Sequence, residues 1–307
     1  MAMSAILIIA IVLIAIYIWS SCIWGYKEKE EELTADESKC FDPGCRSIII
    51  KQDSDKAVLM IHGFPTAPNM YRYAAERMKA EGYDVYAPLI PSFGTDWNNF
   101  TKTNFSSWYK WIEDYYKSLE GKYKEVYVIG ISMGGAMTLK IAEHNNPSAI
   151  AVIAAPVVYN SFFRDRIVTS WSGYLGRIIG IFTPAIKPHI VTSRPESNDG
   201  NEDWKGYGGT FPRQGVSLMH GLKAIRRDLG KINSPMISIH DTGDKTVPFA
   251  NQGIIKKETH TKSEFIVTTM DEKYRHTHHT LLQYHSIQAE LMDRIISFFS
   301  NNRSAVL

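Results

Sequence analysis

The stretch Tyr127 to Ala136, "YVIGISMGGA", runs apolar residues straight into a serine framed by glycines. The Val- and Ile-rich part reads as a buried strand, and Met133, Met137 and Ile141, four apart, read as one stripe of a helix over Met133 to His144. Gly130-Ile131-Ser132-Met133-Gly134 therefore sets Ser132 on the turn between strand and helix, the context in which G-x-S-x-G has chemical meaning. On such a turn the backbone is strained, and Gly130 and Gly134 let neighbouring chain pass without a Cβ clash, so the hydroxyl points outward. An ordinary helix N-cap serine is the competing reading.

Next to Ser132, the Met133 amide and the positive end of the following helix are placed to stabilise an oxyanion. A second donor is needed, and the amide of Phe64 supplies it, just after the apolar run "AVLMI" in Ile61-His62-Gly63-Phe64. His62 precedes the serine, whereas this arrangement runs serine, acid, histidine, so a structural imidazole is expected there.

Outward from the turn, apolar runs alternate with helical patterns. "SIII", "AVLMI", a helix around Met70 to Glu81, "YDVYAPLI", a helix around Phe105 to Leu119, "EVYVIGI", the helix from Met133 and "AIAVIAA" follow one another. This rhythm predicts an α/β domain with a mostly parallel, doubly wound sheet whose strands are buried on both faces. It stops over about 157–232, where an amphipathic insertion of helices and loops is expected to cap the sheet. It resumes with "PMISIH", a helix-compatible "FANQGIIKK", "EFIVTT" and a closing helix from about Ser286 to Ser300.

The chain has 307 residues, 44% of them hydrophobic, enough for one large α/β domain. Its 34 Lys and Arg nearly balance 32 Asp and Glu, which gives no reason to expect a nucleic-acid partner. Ala5 to Trp24 carries no ionisable side chain except Tyr17 and Cys22, so residues 1–25 read as a single-pass transmembrane anchor with its orientation open. A cleaved signal peptide is the alternative, against which stands the absence of Lys and Arg from "MAMSAILIIA". Cys22 in "WSSC" is a candidate for acylation. Residues 26–39 are highly charged and read as a solvated linker, with the folded domain spanning 40–307. In "CFDPGC" a turn brings Cys40 and Cys45 together, as a disulfide in an oxidising compartment or as free thiols in a reducing one.

"VLMIHGF" followed by "GISMGG", with "EGYDVYAPLIPSFGT" between them, resembles the α/β-hydrolase fold, in particular the bacterial carboxylesterase and monoacylglycerol lipase group. The likeness runs from about Ile48 to Phe299 and is weakest in the insertion. It implies a serine hydrolase whose acid lies in "HDTGDKTVP", where the Gly-Asp before Val-Pro maps onto Asp244, with Asp241 as rival. It implies a catalytic histidine in "RHTHHTLLQYH", where "HTLL" resembles the family at His279, with His278 and then His276 as alternatives. The implied reaction is ester hydrolysis through an acyl-enzyme on Ser132, without cofactor or metal, although clustered imidazoles also permit a metal reading. Thioesterase, peptidase, acyltransferase and carbon-carbon hydrolase chemistry share the scaffold, and a membrane-tethered binding module is the non-enzymatic alternative. Phe162, Phe163, Trp171, Tyr174, Ile178, Ile179, Ile181 and Phe182 in the insertion would either line a pocket for a lipid acyl chain or pack the cap.

Overall fold

The computed structural model describes residues 2–21, 30–158, 161–163, 166–168, 176 and 179–302. In chain order the strands are β1 (Ile48–Ile50), β2 (Lys56–Ile61), β3 (Asp84–Ala87), β4 (Glu125–Ile131), β5 (Ala149–Ile153), β6 (Ser161–Phe163), β7 (Arg166–Val168), β8 (Ile186–Val191), β9 (Gly206–Thr210), β10 (Met236–Asp241) and β11 (Ser263–Thr268). The helices are α1 (Ala2–Ser21), α2 (Arg72–Ala80), α3 (Trp97–Phe100), α4 (Phe105–Glu120), α5 (Met133–His144), α6 (Pro212–Asp228), α7 (Ala250–Glu258) and α8 (Gln288–Asn301).

Seven strands form one sheet in the order β1-β3-β2-β4-β5-β10-β11. Only β1, on β3, is antiparallel; the other pairings are parallel. Successive side chains point to opposite faces of a strand, and here both faces are buried. Ala57, Leu59 and Ile61 of β2 with Val126 and Val128 of β4 join one core, where α4, α5 and α6 bring Trp108, Met137 and Leu222. Val58, Met60, Tyr127 and Ile129 join the other, where α2 and α8 bring Met78 and Phe299. This is the α/β-hydrolase fold.

Local chemistry accounts for the helices. Asn104 caps α4 by accepting the Ser107 N–H at 2.9 Å, and Phe105, Trp108, Ile112, Tyr116 and Leu119 form its buried stripe at three- and four-residue spacing. The helix expected over Met70 to Glu81 opens with a 3₁₀ turn, Pro68–Tyr71, before α2 begins.

The insertion departs from the expected helices and loops. Its backbone contains two antiparallel ladders, β6 on β7 and β8 on β9, besides α6. β9 reads "GYGGT", so its sequence suggests turns; it pairs with β8 all the same, and Gly208, directly opposite His189, leaves the space its ring occupies, which a Cβ there would obstruct. Trp171, Tyr174 and Ile178 lie outside the described residues, as do the side chains of Phe162 and Phe163.

At the N-terminus, α1 is helical over Ala2–Ser21, but its described side chains are those of residues 4–16. Among the described residues no helix is long and apolar enough to cross a membrane, so the span expected from Ala5 to Trp24 gains no support there. Cys22 lies outside the described residues. The end of the charged linker lies against the domain. The Glu31 N–H donates to Ser107 Oγ at 2.9 Å, Leu33 packs on the core, and the Glu37 carboxylate accepts from the Ser47 hydroxyl and, at 3.0 Å, from its amide. Cys40 and Cys45 are free thiols, and burial pushes them up to about 11 and about 12 respectively.

Candidate active site

Ser132 sits between β4 and α5 with φ 59° and ψ −124°, a conformation a residue with a side chain adopts at a cost of about 1–3 kcal/mol. Its amide donates to the Ile153 carbonyl at 2.9 Å, while its side chain makes no capping bond to α5. The N-cap reading therefore fails: the hydroxyl does not serve the helix. The two glycines are demanded by close approach. A Cβ on Gly130 would lie 2.2 Å from the Gly134 carbonyl oxygen, and one on Gly134 would lie 1.8 Å from that of Ile61.

That second contact draws the end of β2 against the turn. A Cβ built on Gly63 would meet Ser132 Cβ at 3.2 Å, so the turn carrying Phe64 abuts the serine. Met133 is the first residue of α5, and the first amides of a helix have no partner within it. The Phe64 ring packs on Phe100 and Trp108. His62 is fully buried: its Nε2 accepts the Ile90 N–H at 3.1 Å, so Nδ1 carries the proton and donates to the Gly63 carbonyl at 3.0 Å. Burial holds this imidazole down at about 4, hence neutral at pH 7, where it fastens the turn.

The acids and histidines sort into pairs. Asp244 Oδ2 lies 2.7 Å from His279 Nδ1, and its Oδ1 accepts the Thr246 and Val247 amides at 2.7 and 2.9 Å. Burial pushes the Asp244 carboxyl up, but His279 and the His240 imidazole, 3.3 Å away, outweigh it and hold the group at about 2. Asp241 is engaged elsewhere. It accepts the Gly243 and Met270 amides and the Thr268 hydroxyl, and lies 3.3 Å from His278 Nδ1. His276 faces a third acid, Asp199 of the insertion, at 3.3 Å. Neighbouring histidines thus face different aspartates, because the chain reverses at His278, whose φ is 55°.

All the parts lie at the carboxyl ends of parallel strands, after β2, β4, β10 and β11. Only β5 separates β4 from β10, which sets Ser132 and the Asp244 loop about 10 Å apart, the span of a carboxylate, an imidazole and a hydroxyl in line. The Ser132 residue and the His279 side chain are each 8% exposed, nearly enclosed yet open to a small reactant. Phe64 also lines a cavity of about 300 Å³, together with Ile179, Tyr207, Phe211, Val216 and Met219 among others. Ile179 lines this cavity, whereas Ile181 and Phe182 are 58% and 82% exposed. Sequence reasoning missed Asp199, whose partner His276 lies 77 residues away, and also His240 and Tyr284, whose partners Asp244 and His279 are near in the chain but belong to no motif that marks the contact.

The family described as "Serine aminopeptidase, S33" matches residues 52–289. The Thermostable monoacylglycerol lipase of Bacillus sp. (strain H-257) is 36% identical over 88 residues, 29% of this chain and 35% of that protein. The Carboxylesterase of Bacillus subtilis (strain 168) is 29% identical over 104 residues, 34% of this chain and 42% of that protein. The chain thus spans less than half the length of the curated relatives it matches. Among solved structures, one from work on "LipS and LipT, two metagenome-derived lipolytic enzymes" superposes with a TM-score of 0.68 at 18% identity, covering 84% of this chain and 98% of the other. The monoacylglycerol lipase of Paleococcus ferrophilus superposes with a TM-score of 0.62 at 15% identity, covering 83% and 98%. At such identities the structures speak for the fold.

Proposed function

The chain belongs to the serine aminopeptidase S33 family, and from that premise we propose that it is a serine carboxylic-ester hydrolase of the carboxylesterase and monoacylglycerol lipase kind. The observation that carries the reading is the 2.7 Å pair of Asp244 and His279 at the same sheet edge as the strained Ser132 turn. With Asp244 ionised, His279 holds its proton on Nδ1 and leaves Nε2 free as a base. Nε2 takes the Ser132 proton, Oγ attacks the ester carbonyl, and the Phe64 and Met133 amides receive the oxyanion. His279 returns the proton to the leaving alcohol, and water then repeats the sequence to free the acid and Ser132.

The cavity favours an acyl ester over a peptide with a free amino end. An ammonium group calls for a carboxylate beside it, and among the described residues the cavity lining holds no Asp or Glu. The apolar lining next to Phe64 suits the chain of a lipid ester.

The test is hydrolysis of p-nitrophenyl esters of rising chain length, together with labelling by a serine-directed phosphonate. Ser132→Ala and His279→Ala are expected to lose labelling and to lower kcat by roughly a thousandfold or more. Turnover that survives in Ser132→Ala would sink the esterase reading; normal turnover in His279→Ala would move the base to His278 or His276.

We further infer that the N-terminal segment tethers the enzyme to a membrane, where lipid esters are found. What supports this is the composition of Ala5 to Trp24 and the exposure of every described apolar side chain from Ile6 to Ile14, a helix apolar on all sides with no core to cover it. Full-length protein that stays in the soluble fraction of a cell lysate would refute the tether.

A further inference from the structure

Tyr284, fully buried, lies five residues beyond His279, and its hydroxyl does something the chemistry above does not use. Its oxygen accepts the backbone N–H of His279 at 3.1 Å and that of Thr280 at 3.2 Å. Two consecutive amides held by one oxygen fix the peptide plane from which the His279 side chain departs.

The phenol is itself held. The His276 ring lies on it with centroids 3.7 Å apart and planes 8° apart, and Tyr274 stacks 5.7 Å from the His276 ring. His276 Nδ1 accepts the His278 N–H at 3.2 Å, so Nε2 carries the proton toward Asp199, 3.3 Å away. Asp199 is almost wholly engaged. Its carboxylate accepts the Ser286 amide at 2.9 Å and the Ser286 hydroxyl at 2.5 Å, and its carbonyl accepts the His285 N–H at 3.0 Å. Asp199 comes from the insertion, so one of its side chains braces the loop that carries His279.

We propose that Tyr284 is a positioning residue for His279, and that Asp199 of the insertion holds Tyr284 in place through His276. The inference rests on the reading of His279 as the base of an ester hydrolase. A base on a loop needs such a brace, because misplacement by about 1 Å costs on the order of a hundredfold in rate. Asp244 fixes the imidazole through Nδ1; Tyr284 fixes the backbone from which the ring departs.

The test uses the full chain and a p-nitrophenyl ester, with Tyr284→Phe, Asp199→Asn, Ser132→Ala, His279→Ala and the double variant Tyr284→Phe/His279→Ala. Tyr284→Phe keeps the ring and its stack and removes only the oxygen. The expected result is a kcat lower by roughly tenfold, with KM changed by less than about twofold, and phosphonate labelling of Ser132 slowed in step. In the His279→Ala background the same change is expected to do nothing further to the residual rate, since there is no base left to aim.

A Tyr284→Phe enzyme with the parent's kcat, or one that loses the same factor with and without His279, overturns the inference. If Tyr284→Phe does not fold, Asp199→Asn carries the test: a lower kcat at constant KM supports the inference and an unchanged kcat overturns it. The two readings separate at Ser132→Ala. Hydrolysis that survives there defeats the esterase reading and the inference with it, whereas Ser132-dependent hydrolysis with normal kcat in Tyr284→Phe defeats the inference alone.

Discussion

Gly134 shows how a single missing side chain positions Ser132. With nothing but hydrogen on its Cα, α5 closes onto the end of β2, and the turn bearing Phe64 comes up against the serine. Gly134→Ala would put a Cβ 1.8 Å from the Ile61 oxygen, and backbone on both sides cannot yield as a side chain end would. The expected cost is at least about 3 kcal/mol, read as a Tm lower by roughly 6–12 °C or as insoluble protein. Gly215→Ala is the control, since a Cβ there meets nothing within 4 Å; equal melting of Gly134→Ala and the parent would contradict the packing argument. Ser132 and its glycines are legible in ten residues of sequence because the strain, the turn and the close approach are all local. The histidine is not. His276, His278 and His279 differ in the aspartate each one faces, and those aspartates come from the insertion, from the end of β10 and from the loop after it.

The strands and helices of the sheet follow the sequence rhythm closely, since both-face burial forces unbroken Val and Ile runs and helical stripes of fixed period. α5 runs from Met133 to His144 as expected, and α4 extends by one residue beyond Leu119. The strands of the insertion escaped because a short ladder in a small sheet has no such run, and glycine in β9 signals a turn to any local reading. α5 also carries an unfavourable group. Glu143 is buried, and burial pushes its carboxyl up to about 8. Between about 4.5 and 8 the folded chain therefore holds a proton that the unfolded chain has released, so stability falls as pH rises through that window. Glu143→Gln removes the titration. It is expected to raise the unfolding free energy by about 1–3 kcal/mol at pH 8, with little gain at pH 4.5. Urea denaturation at the two pH values measures this, and a gain that does not grow with pH would refute it.

Across the whole molecule, the N-terminal forty residues divide into a part the domain needs and a part it does not. Residues from Glu31 to Glu37 dock through Ser107, the core beside Leu33, and Ser47, whereas the described part of α1 exposes its apolar side chains. Deleting residues 1–29 is expected to leave Tm within about 2 °C of the parent, and deleting 1–39 to lower it by roughly 4 °C or more, as a few buried contacts are lost. Thermal melts of the two truncations decide this, and equal Tm values would show that the docked segment contributes nothing. By itself the sequence determined the α/β class, the strand order along the chain, the insertion and Ser132 with its glycines, because each is written in a local period or a local steric demand. Only the tertiary structure decided that Asp244 rather than Asp241 faces His279, that Asp199 reaches across from the insertion, and that Tyr284 holds the His279 backbone. Those partners lie up to 77 residues apart in the chain, and no local pattern encodes which of several alike side chains the fold will bring together.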